Sequence, residues 1–282
     1  RRGLRWTLVP CDQRGWVDPE SIRSAIEPKT RLVIVNHASN VTGMVQDLTS
    51  IARIVGESDA WLMVDAAQSI GFMEFDPESL GIDLLVAPTH KGLCGMLGTA
   101  FIAASPRVTP HLKSPWIGGT GRSSIDWNGP FGWRESIESG NLNGPSIASL
   151  GAGLNFLNSN SNAQFKEKLD GWLRRILKEI QDCKNLALVG YPNSSSQFDD
   201  SQRVPLVSFS SQSLTSHEMA MLLDSALGVE CRSGLHCAGA IHHHLGSDPQ
   251  NGTLRMSFGH TTAESDVDMA IEGIRLLDQV AL

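Results

Sequence analysis

Trp61-Leu62-Met63-Val64-Asp65 and, one strand–helix–strand spacing later, Leu84-Leu85-Val86-Ala87-Pro88 decide how this chain folds. Both are short, unbroken apolar runs rather than alternating ones. The first stops at a carboxylate, the second just before Thr89-His90-Lys91. Such runs fit strands buried on both faces, as in a parallel sheet. Leu32-Val33-Ile34-Val35 has the same character, residues 99–103 read as a further strand, and residues 4–9 as a short one upstream. Between them, residues 48–55 carry helical spacing. Asp18-Pro19-Glu20 supplies an N-cap, a proline at the first helical position and an acid, opening a helix to Ile26. Strands alternating with helices imply right-handed crossovers and an α/β fold, a mainly parallel sheet sandwiched by helices. Ligands in such sheets sit beyond the carboxyl ends of the strands.

Downstream the pattern changes. Residues 104–145 are irregular and hold Trp116, Trp127 and Trp133, a density that predicts packing against a second subunit. Helices are expected from near Ser146 and over 164–181, then strands over 204–208 and 254–258 and helices over 216–227 and 264–280. This reads as a smaller C-terminal α+β domain. The expected division is therefore a large domain, in part, over 1–145 with an interface loop over 104–145. A linking helix and the small domain occupy 146–282.

The 282 residues carry 23 Lys+Arg against 30 Asp+Glu, a formal net charge of −7. An acidic balance argues against nucleic acid or an anionic membrane surface as partner. No apolar run is long enough to span a bilayer. The five cysteines are odd in number and irregularly spaced, which predicts reduced thiols in the cytoplasm rather than a disulfide framework.

Two adjacent parallel strands ending in Asp65 and leading to Lys91 deliver a carboxylate and an amine to one sheet edge. Pyridoxal phosphate needs that pair: its aldehyde forms a Schiff base with lysine, and an aspartate keeps its ring nitrogen protonated. His242-His243-His244 suggests a metal, but consecutive residues point apart on a strand or a helix, so no metal site is expected. Gly118-Gly119-Thr120-Gly121 lacks the flanking strand, helix and lysine of a phosphate loop.

Asn36-His37-Ala38-Ser39-Asn40-Val41-Thr42-Gly43, Val64-Asp65-Ala66-Ala67-Gln68 and Thr89-His90-Lys91 closely resemble the cysteine desulfurase family. That family belongs to the class V aminotransferase branch of fold-type I pyridoxal-phosphate-dependent transferases. Glu138-Ser139-Gly140, Arg232-Ser233-Gly234-Leu235-His236-Cys237-Ala238 and Thr253-Leu254-Arg255-Met256-Ser257 extend the match in the family's order. The resemblance implies that Lys91 is the Schiff-base lysine and later a proton carrier, and that Asp65 faces the pyridine nitrogen. Gln68 and Asn40 then serve the phenolic oxygen, His90 the phosphate, and Thr89 substitutes for a phosphate-binding hydroxyl displaced by Pro88. Arg255, with Asn40 and Arg232, would bind the substrate. Cys237 is implied as the thiolate that takes sulfur from L-cysteine, leaving alanine and an enzyme persulfide, with Arg232 and His236 lowering its pKa.

The resemblance also implies a homodimer, with Thr120 reaching the neighbour's cofactor, and a sulfur-acceptor protein. Alternatives are a class V aminotransferase, selenocysteine lyase or epimerase, or a cofactor-free interaction protein of the same fold. The family's phosphate-gripping loop and ring-stacking histidine have no counterpart in residues 1–31, and Asn141 stands where the family has a threonine. This stretch alone is therefore expected to lack the front of its large domain and to bind pyridoxal phosphate weakly or not at all.

Overall fold

The computed structural model describes residues 3–113, 118–119, 132–160, 163–191, 202–247 and 250–281. Thr120, Trp116 and Trp127, on which the interface-loop expectation rests, lie outside them. The described chain forms two compact units.

One unit comprises residues 26–36 and 48–159. Its sheet has the order β1-β2-β3-β4, from β1 (Leu32–Asn36), β2 (Trp61–Asp65), β3 (Leu84–Pro88) and β4 (Ala100–Ala104). The first three are parallel, with Asn36 opposite Asp65 and Asp65 opposite Val86. β4 returns antiparallel, Pro88 opposite Ala100. In β2 and β3 the runs are strands whose side chains go inward, Leu62, Val64, Leu85 and Ala87 all being buried; β1 departs from the expected double-faced burial, with Val35 buried but Leu32 and Ile34 exposed. Helix α2 (Leu48–Gly56) buries Leu48, Ile51, Ile54 and Val55, a helical stripe against the sheet. A short α3 (Trp133–Ile137) falls in the stretch expected to be irregular, and α4 (Gly144–Asn160) begins two residues before Ser146.

The other unit comprises residues 1–25, 37–47 and 160–282. After α1 (Pro19–Ala25), its helices are α5 (Ala163–Asp182), α6 (Ser216–Leu227), α7 (Gly239–Leu245) and α8 (Glu264–Val280). Its sheet, order β5-β6-β8-β7, is antiparallel: β5 (Leu186–Leu188), β6 (Leu206–Ser211), β7 (Arg232–Gly234) and β8 (Thr253–Ser257). α5 buries Leu169, Trp172, Leu173, Ile176, Leu177 and Ile180 at helical spacing. α6 is bounded by the reciprocal Thr215–Glu218 capping box and by Gly228 in the left-handed conformation.

Two expectations are corrected. Residues 4–9 form no strand: Leu4, Trp6 and Leu8 are 82%, 81% and 72% exposed, and no described strand offers them a ladder. Apolar alternation predicts a strand only where a neighbour pairs with it. The boundary at 145/146 also differs from the observed grouping, in which residues 1–25 and 37–47 join the C-terminal unit. Arg203 is a physical reason. Its buried guanidinium donates to the carbonyls of Thr42 (2.6 Å) and Gly190 (2.8 Å) and stacks over Tyr191. Among the described residues no helix is long and apolar enough to cross a membrane.

Candidate active site

The sheet unit carries one set of expected site residues. Asp65 closes β2, half-buried, and its Oδ1 accepts a hydrogen bond from the Ala67 backbone N–H at 2.9 Å. Ser69 and Ile70 then donate to the Ala66 carbonyl, winding residues 66–70 into a tight turn that carries Gln68. Lys91 follows β3 by three residues, exposed, in a turn closed by the Cys94 N–H on the Lys91 carbonyl at 2.9 Å.

The two turns touch through glycine. A Cβ on Gly92 would lie 2.0 Å from the Ile70 carbonyl oxygen, and one on Gly71 (φ +85°) 2.2 Å from the Gly92 oxygen. Only bare backbone allows that approach. The residue after Lys91 is thereby seated on the turn that begins at Asp65. α4 braces the same loop: Ser149 accepts from the Met96 N–H (2.8 Å), Ser146 donates to the Met96 carbonyl (3.0 Å), and Gly153 backs onto Leu93.

Thr89 is not available to a phosphate. It is fully buried, and its hydroxyl is directed at the carbonyls of Met96 and Thr99, both at 3.1 Å. Loop closure uses up the group that was expected to bind the anion. Pro88 has no N–H to offer, and His90 is exposed. The remaining set fits pyridoxal phosphate at its ring. Asp65 keeps Oδ2 without a hydrogen bond among the described residues, as an acceptor for a ring N–H must, and an amine stands on the adjoining turn.

The C-terminal unit carries the second set. Arg232 on β7 lies opposite Arg255 on β8 in the antiparallel ladder, so both guanidinium-bearing side chains share one sheet face. Burial, and then the nearby Arg232 charge, hold the Arg255 pKa below its usual value. Two guanidinium groups on one face can receive an anion. Arg255 Nη1 donates to the Asn40 carbonyl at 3.0 Å, and the Asn40 amide donates to the His236 carbonyl. Asn40 is thus tied to the turn bearing Cys237, a placement that its expected cofactor role did not suggest.

Cys237 is exposed, with φ +61°, and its Sγ lies 3.7 Å from Arg232 Nη2. His236 is corrected: it lends no positive charge. Its ring is 3% exposed, its Nε2 pairs with Thr253 Oγ1 at 2.9 Å, and burial pushes its pKa down to about 4, so it is neutral at pH 7. Burial weighs against ionisation of the other thiols. Burial, helped by Asp278 and Asp224 respectively, pushes Cys183 and Cys231 up to about 11, and it raises Cys11 and Cys94 too. Of the histidine run, His242 is buried while His243 and His244 are exposed on α7. The residues with no expected role are Arg203, Thr253, Ser146, Ser149 and the Gly71–Gly92 contact. Only Thr253, inside a motif block, left a trace in the sequence.

The chain as a whole is similar to known proteins. The family described as Aminotransferase class-V matches residues 1–269. A probable cysteine desulfurase of Methanothermobacter thermautotrophicus is 33% identical over 273 residues, covering 95% of this chain and 66% of that protein. Cysteine desulfurase IscS of Vibrio campbellii is 28% identical over 289 residues, covering 98% and 64%. The chain thus spans about two thirds of the length of these curated relatives. Among solved structures, the apo cysteine desulfurase of Thermococcus onnurineus superposes with a TM-score of 0.87 at 25% identity, over 99% of this chain and 67% of that one. The Escherichia coli cysteine desulfurase CsdA shares the fold, with a TM-score of 0.82 at 23% identity over 96% and 65%.

Proposed function

From the premise that this chain belongs to the aminotransferase class-V family, we propose that it serves a pyridoxal-phosphate-dependent cysteine desulfurase. L-cysteine loses its sulfur to Cys237: the substrate's Cβ–S bond breaks, an S–S bond forms on the enzyme thiol, and alanine leaves. Pyridoxal phosphate, when bound, supplies an electron-withdrawing ring that stabilises negative charge at the substrate α-carbon. Lys91 supplies the amine that holds the cofactor aldehyde and carries the α-proton. Asp65 keeps the ring nitrogen protonated, and Gln68, Asn40 and His90 hold its oxygens. Arg255 grips the substrate carboxylate as a bidentate fork.

The observation that carries this reading is the 3.7 Å approach of Arg232 to the Sγ of an exposed Cys237, directly across the ladder from Arg255. A guanidinium at the thiol can hold the negative charge that the sulfur carries as it attacks. An exposed thiol also supports transfer to an acceptor protein. Met96, Leu97, Ile147 and Leu154, all exposed and apolar around α4, support a homodimer, and five unpaired cysteines support the cytoplasm.

The test uses the complete gene product with L-cysteine and an added dithiol reductant, which frees sulfide from the persulfide, measuring alanine and sulfide together. Cys237→Ser is expected to lose sulfide release while retaining the bound cofactor, and Lys91→Ala to lose both products. Undiminished sulfide release by Cys237→Ser rejects the nucleophile and favours another class V reaction.

A further inference from the structure

We propose that His236 and Thr253 are positioning residues that lock the Cys237 turn and hold its thiol on the Arg232 guanidinium. This rests on the reading of Cys237 as the sulfur-accepting nucleophile. Two consecutive residues, His236 (φ +52°) and Cys237 (φ +61°), occupy the left-handed region that side chains with a Cβ rarely adopt. Histidine is tolerated there more than most residues, but cysteine is not, so the Cys237 conformation persists only if the surroundings impose it.

They do so from one ladder. β7 ends at Gly234, opposite Thr253 on β8. Two residues on, the chain folds back and the buried His236 ring meets the Thr253 hydroxyl, itself fully buried, at 2.9 Å. The Asn40 amide grips the His236 carbonyl, and the Ala238 N–H donates to the Leu235 carbonyl at 2.8 Å, closing the turn. The next side chain is then the Cys237 thiol, set down beside Arg232, the first residue of the same β7. The ionisable groups facing the His236 ring are Arg255, His242 and Arg232, all of which favour its neutral form. Those acting on the thiol are Arg232, at 3.7 Å, and Arg255. A neutral ring anchored to threonine is a fixed strut rather than a proton donor.

The test reads geometry without turnover: the rate of iodoacetamide alkylation of Cys237 at neutral pH, followed by peptide mass spectrometry. Thr253→Val removes the hydroxyl and keeps the shape. It is expected to slow alkylation by about two- to fivefold, the reach of one exposed charge contact. Thr253→Ser is expected to restore the rate. Arg232→Gln is expected to reproduce the slowing, and the double variant to be no slower than Arg232→Gln alone. Wild-type alkylation in Thr253→Val, or losses that multiply in the double variant, overturn the proposal. If Thr253→Val does not fold, His236→Gln is measured against the same expectations. Sulfide release that survives Cys237→Ser overturns the desulfurase reading instead, so the two failures are distinguishable.

Discussion

Replacing Gly92 with alanine tests whether backbone contact is what seats Lys91 against the Asp65 turn. The added Cβ would start 2.0 Å from the Ile70 carbonyl oxygen and 3.1 Å from the Phe72 ring. Both Gly92 and Ile70 are held by their own turns, so relief requires the two backbones to part by about 1 Å to reach even a tight contact. Overpacking of this kind destabilises by about 1–3 kcal/mol. The shift falls on the neighbour of the amine, where misplacement by about 1 Å costs on the order of 100-fold in rate. Urea unfolding and kcat/KM for sulfide release, measured on the same preparation, give both numbers. Gly171→Ala is the control: it sits inside α5 with nothing within 4 Å of the added methyl, and is expected to stabilise by up to about 1 kcal/mol. Stability within about 0.5 kcal/mol of wild type together with unchanged kcat/KM in Gly92→Ala would refute the backbone seat.

Arg203→Met is expected to destabilise by roughly 3 kcal/mol, because two charge-assisted hydrogen bonds leave buried carbonyls of Thr42 and Gly190 without a donor; denaturant titration checks it, and a loss below about 1 kcal/mol contradicts the role. Stability is also expected to fall as pH drops from about 6.5 toward 4. Burial holds His37 and His236 at about 4, so in that window the unfolded chain binds protons that the folded chain refuses. At pH 5 each contributes roughly 2 kcal/mol of the loss. His37→Gln and His236→Gln should each flatten the pH dependence measured by urea unfolding, and an unaltered slope would count against neutral burial.

Much of this was legible because it is local. The unbroken runs ending at Asp65 and before Lys91 mark strands, and the structure ends β2 and β3 there, although burial along β2 alternates instead of covering both faces. Helices α6 and α8 keep their expected limits, the former because Thr215, Glu218 and Gly228 write its ends into the sequence. What escaped depends on contacts across long stretches of chain. Residues 4–9 have the pattern of a strand without a partner. The direction of the Thr89 hydroxyl follows from how residues 89–99 close on themselves, and the neutrality of His236 from burial among two arginines and a second histidine. The grouping of residues 37–47 with the C-terminal unit depends in part on Arg203, 161 positions from the carbonyl it binds.

That grouping has a consequence for synthesis on the ribosome. The chain passes between its units at 25/26, 36/37, 47/48 and 159/160, so neither unit is one continuous stretch of sequence. Residues 26–159 leave the exit tunnel with all of the sheet unit's residues in hand, and their strands pair over short separations. Residues 37–47 emerge early too, yet the arginine that secures Thr42 is translated 161 positions later. Closing so long a loop is slow, and until it closes the segment carrying Asn40 stays exposed to chaperones and proteases. The Cys237 side of the proposed site is therefore assembled only after Arg203, Cys237 and Arg255 have all been translated.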